Sequence, residues 1–160
     1  MSIAFLDWIE STWLNHFAVG YTWTWPIMET LHFFGLGLLL GVIVVIDLRL
    51  VGVFRRRIPL NMVHDLLPWA ISGFVINLIT GIVFLFGDPY RYYESPSFRL
   101  KVLFLFIAGL NALWYWLTLH RTIDNIGNHD PMPMNAKVMG LVSIISWCAV
   151  VIFGRLIPYI

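Results

Sequence analysis

Glu29 and His32 are the side chains in this sequence best placed to do chemistry. They stand three residues apart, so a helix carries both on one face. Pro26 opens a long apolar run, and at 1.5 Å per residue His32 then lies roughly 9 Å inside it. An ionisable group in a membrane span costs roughly 3 kcal/mol to insert, which makes it a functional candidate. A neutral imidazole can ligate haem iron or copper through one nitrogen. Its other nitrogen needs an acceptor, which Glu29 or a backbone carbonyl can supply. Gly35, Gly37 and Gly41 follow on the same helix. They leave room for a flat group such as a porphyrin, or for a neighbouring helix packed on Gly37-x-x-x-Gly41. A Glu–His hydrogen bond at the rim of a bundle accounts for the pair equally well. A di-iron bundle needs Glu-x-x-His twice with two further carboxylates. The motif occurs once, which excludes that site.

The remaining histidines fall elsewhere. His64 opens the second apolar run and His120 closes the third, so both belong near the inner face, far from His32 across about 30 Å of hydrocarbon. As a pair they could hold a second haem there; as interfacial side chains they simply face water. His16 lies on the same side as His32. With Glu29 and His32 it forms a candidate copper site, since imidazole and carboxylate suit Cu(II). Arg99, Lys101 and Arg155 also fall on that side. They are candidates to hold haem propionates, or else cations snorkelling to lipid headgroups.

Four segments must position these groups. Residues 26–54, 62–86, 98–119 and 136–157 each reach the roughly 20 apolar residues that a helix needs to cross a bilayer. The 160-residue chain is 59% hydrophobic and 12% charged, with mean hydropathy +0.80. A soluble domain carries about twice that charge. The net charge of +1 excludes a nucleic-acid binder. The single cysteine, Cys148, excludes an internal disulfide and a multi-cysteine metal site.

Residues 1–25 read differently. Ile3, Leu6, Ile9, Trp13 and Phe17 recur at helical spacing among Asp7, Glu10 and Ser11. This predicts an amphipathic helix over 2–18 lying in the interface, followed by an aromatic belt of Tyr21, Trp23 and Trp25. The predicted fold is therefore an all-α integral membrane protein: a four-helix transmembrane bundle over 26–160 with an N-terminal interfacial helix. No cleaved signal peptide is expected.

Residues 1–25 lack Lys and Arg, whereas Arg55, Arg56 and Arg57 follow the first span at once. That contrast places both termini outside and the arginines in the cytoplasm. Asp47 and Arg49 end the first span. Asp47 is expected to pair with Arg121 or one of Arg55, Arg56 and Arg57, and Arg49 to snorkel inward. Mid-span ionisable groups are too few for a pump or secondary transporter.

Glu29-Thr-Leu-His32-Phe-Phe-Gly35, Val-Ile-Asp47-Leu-Arg49-Leu-Val-Gly52, Pro68-Trp-Ala-Ile-Ser-Gly73, Thr80-Gly81 and Lys101 with Gly-Leu-Asn111-Ala carry a resemblance. The chain resembles an uncharacterised group of small bacterial four-span membrane proteins, loosely similar to the copper-resistance CopD membrane domain. The resemblance covers most of the chain and implies a redox or copper function in the bacterial inner membrane.

Three readings follow. One is a b-type haem protein for redox chemistry or electron transfer, with haem alone or with copper, served by a quinol or another redox partner. It includes a haem- or copper-dependent oxidoreductase. The second is a copper-binding or copper-transport protein. The third is a structural or assembly subunit without a cofactor. Eight tryptophans and several small-residue faces predict a homo-oligomer in the lipid bilayer.

Overall fold

The computed structural model describes residues 3–53, 56–119 and 130–160. The chain is an all-helical membrane protein with four long apolar helices. These are α3 (Thr24–Val51), α4 (Asn61–Gly87), α6 (Pro96–Trp114) and α7 (Met134–Leu156). α6 runs on through a π-helical turn, Tyr115–Leu119.

The N-terminal segment is two helices, α1 (Ile3–Glu10) and α2 (Trp13–Gly20), where the periodicity predicts one. The break has a local cause. Thr12 adopts extended backbone, and its hydroxyl accepts from the Asn15 N–H as an N-cap. A short helix, α5 (Pro89–Glu94), joins α4 to α6, between the spans expected over 62–86 and 98–119. Both α5 and α6 begin with a side-chain cap followed by proline. Asp88 accepts from Arg91 N–H ahead of Pro89, and Ser95 accepts from Phe98 N–H ahead of Pro96.

α3 packs on α4 and on α7, and α7 packs on α6, giving the row α4–α3–α7–α6. α4 and α6, at the two ends of that row, do not pack closely on each other. α2 lies across α4 and α3, and the Asn15 amide donates to the Phe86 carbonyl at 2.7 Å. α1 reaches α5, where the Tyr90 hydroxyl donates to the Asp7 carboxylate. These helices cap one end of the bundle. At the opposite end Ile46, Leu50, Leu60, Val63, Leu119, Met132, Ala136 and Met139 form a buried apolar cluster.

Two glycines set the closest helix contacts. A β-carbon on Gly73 would stand 2.7 Å from Leu39 N and 2.8 Å from Gly35 O, so α3 and α4 meet backbone to backbone. One on Gly140 would stand 2.9 Å from Asp47 O, which fixes α7 against α3. A β-carbon on Gly37 or Gly41 would meet no described atom within 4 Å. The Gly37-x-x-x-Gly41 face therefore meets no described helix of this chain. Gly35 supplies the close approach instead.

Asp47 and Arg49 also depart from expectation. Arg49 is fully buried and its Nε donates to the Ile58 carbonyl at 2.7 Å, because the chain folds back after Gly52. It does not snorkel. Asp47 is buried against α7, where the Ser143 hydroxyl is its hydrogen-bond partner. Arg55 and Arg121 lie outside the described residues.

Candidate functional site

His32 sits about two turns inside α3 from the capped end, half-buried, with its ring turned toward α4. Its Nδ1 is 2.7 Å from the Thr80 hydroxyl. The Phe84 ring lies beside it, centroids 5.5 Å apart, and Trp25 stacks on Phe84 at 5.2 Å.

The hydrogen-bond directions here follow from counting protons. Thr80 Oγ1 is also 2.7 Å from the Ile76 carbonyl and 3.2 Å from that of Asn77. A hydroxyl has one hydrogen, and a carbonyl oxygen that close must receive it. Thr80 therefore accepts from His32 Nδ1–H. The neutral ring is held as the Nδ1–H tautomer, with its Nε2 lone pair unpartnered among the described residues.

The acceptor is thus a threonine of the next helix, not Glu29. Glu29 is exposed and makes no hydrogen bond with His32. In the sequence Thr80 stands out only as part of the Thr80-Gly81 pair. Its spacing from Ile76 marks the back-bonded hydroxyl, but nothing local to α4 points at His32.

Lys101 on α6 completes the group. Its side chain lies along Gly154 of α7, with Cδ, Cε and Nζ 3.6 Å from where a β-carbon would stand. Its ammonium is within electrostatic reach of the His32 ring. No carboxylate pairs with it among the described residues. An imidazole lone pair and an ammonium without a paired carboxylate among the described residues therefore share the capped half of the bundle.

The other expected site residues are not gathered there. Arg99 is exposed, with Nη2 donating to the Tyr93 carbonyl at 3.0 Å and its guanidinium over the Tyr93 ring. Arg155 is exposed over the Tyr159 ring. Both sit at the rim, held by local aromatic side chains. His16 is exposed and lines a separate cleft between α2 and the start of α3. Among the described residues no three His, Cys, Asp or Glu side chains converge as a metal site, so His16, Glu29 and His32 are not brought together. His64 lies in the first turn of α4, but its side chain is outside the described set, as is all of His120.

Residues 5–160 match a family described as a family of unknown function, DUF6644. The chain belongs to that family. No curated protein and no solved structure matches it. The DUF6644 match agrees with a small four-span membrane protein and shows no likeness to the CopD membrane domain.

Proposed function

We propose that this DUF6644 protein is a membrane redox protein in which His32 ligates haem b iron through Nε2. The observation that carries the reading is the Thr80 hydrogen bond, which orients the imidazole and leaves the ligating nitrogen bare. Metal-bound histidines characteristically donate their other N–H to an acceptor of this kind. A porphyrin supplies four of the iron's ligands itself, so one histidine suffices. Copper needs its ligands assembled from side chains, and no three such groups converge among the described residues. Lys101 offers an ammonium for a propionate. α4 and α6 do not pack closely on each other, and a flat group would enter between them. Haem would supply one-electron redox chemistry. The chain's own residues hold the ligand nitrogen, neutralise carboxylate charge and exclude water with Phe84 and Trp25.

The test is a visible spectrum of the purified protein, expressed with haem supplementation. A Soret band is expected, lost in His32→Gln while the helical circular dichroism persists. A wild-type protein with no Soret band after supplementation overturns the reading.

The same proposal places the capped end outside the bacterial inner membrane, following the lack of Lys and Arg before α3. A cysteine at Ser11, in a Cys148→Ser background, should react with an impermeant reagent from the periplasmic side. Labelling from the cytoplasmic side alone reverses the orientation.

A further inference from the structure

α2 and the start of α3 flank an open cleft of about 530 Å³ at the capped end, its lining including Trp13, His16, Phe17, Tyr21 and Met28. We infer that this cleft binds the head ring of a lipid-soluble quinone or quinol. The inference rests on the redox reading for its purpose as an electron source, and on the cleft's own chemistry for binding.

Four observations carry it. The volume falls in the range that takes a small organic ligand, about 300–1,000 Å³. One wall is an aromatic ladder: Trp13 stacks on Phe17 with an interplanar angle of 20°, and Phe17 meets Tyr21 at 6.1 Å. Such faces suit a planar ring. His16 and Tyr21 are the ionisable side chains in the lining, and the imidazole can donate to or accept from a ring oxygen. A charged headgroup would call for cations, and residues 1–25 contain neither Lys nor Arg.

The position also fits. Met28 lines the cleft and precedes His32 by four residues, so it lies on the same face of α3, about 6 Å nearer the capped end. The cleft therefore stands one helical turn from the proposed haem ligand. Among aromatic-belt side chains at the interface, a quinone ring can enter while its tail stays in lipid.

The experiment uses the full chain in phospholipid nanodiscs and a radiolabelled short-tail azidoquinone, photolysed with and without excess decylubiquinone. Label that the decylubiquinone competes away is expected on α2 and the first turn of α3. It should fall at least tenfold in His16→Ala and in Met28→Trp, which fills the cleft. Circular dichroism and the Soret band of the same preparations report the fold and the haem site. Label that is not competed, or maps elsewhere, or is undiminished in both variants overturns the inference and leaves the cleft to lipid. Specific labelling without a Soret band keeps the quinone site and overturns haem. A Soret band without specific labelling does the reverse.

Discussion

The Thr80 hydroxyl accepts from His32 Nδ1 and donates to the Ile76 carbonyl, linking α3 to α4 through one side-chain oxygen. Thr80→Val keeps the shape and removes the acceptor. Interhelical hydrogen bonds in membranes average about 0.6 kcal/mol and reach about 1.7. A loss in that range is expected in mixed-micelle unfolding, with Thr80→Ser close to wild type. Losing the acceptor of a ligating histidine also weakens metal affinity by about 10–100-fold. Haem retention in Thr80→Val should fall accordingly, which a purely structural hydrogen bond would not produce.

The glycines on α3 and α4 divide into two kinds. Gly73→Ala would push a methyl group into the backbone of Leu39 and Gly35, where nothing flexible can give way. Overpacking of this kind costs about 1–3 kcal/mol, and α3 and α4 would have to separate near His32. Gly37→Ala and Gly41→Ala meet open space. Thermal unfolding in detergent should show a clear loss for Gly73→Ala and little change for the other two. Equal losses at all three positions would reverse the assignment of the α3 packing face.

The four spans were legible because a lipid-exposed helix is constrained by length and apolarity alone. The described spans begin and end within a few residues of the reading. Faces were much harder to assign. All of Gly35, Gly37 and Gly41 suit a close approach, and only the partner helix decides which is used. Thr12, Asp88 and Ser95 were readable caps that a hydropathy reading passes over. His32 and Lys101 were identified as candidates from depth and charge. Their juxtaposition, and the role of Thr80, depend on how α4, α6 and α7 are arranged around α3.

The contact between α1 and α5 titrates. The hydrogen bond to the Asp7 carboxylate pushes the Tyr90 hydroxyl up to about 12, from an ordinary value near 10. Burial pushes the neighbouring Tyr92 hydroxyl up to about 12 as well. Because the Tyr90 value is raised on docking, the protonated phenol favours the docked state. Its contribution is fully present below about pH 10 and is lost as pH rises through about 12. Tyrosinate absorbance, read as wild type minus Tyr90→Phe, should show a late transition that moves down toward 10 in Asp7→Asn. A difference spectrum already titrating near 10 in the wild type would show that the contact is not formed.

Lys101 gives opposite expectations with and without a bound carboxylate. An ammonium among apolar groups without a paired charge is costly, and removing it relieves that cost. In protein free of haem, Lys101→Met keeps the length of the stem along Gly154 and removes the charge, so thermal stability should hold or rise. With haem bound, the ammonium has a propionate to meet. Breaking a buried, charge-assisted pair leaves the remaining charge exposed to the penalty. The same substitution should then weaken haem affinity by at least tenfold, read by haem transfer to apomyoglobin, and lower the melting temperature of the loaded protein. Lys101→Arg keeps the charge and should retain most of the haem affinity. The sign change between the two forms is the decisive measurement. If Lys101→Met alters loaded and haem-free protein alike, Lys101 meets no carboxylate of the haem and serves packing against Gly154 alone.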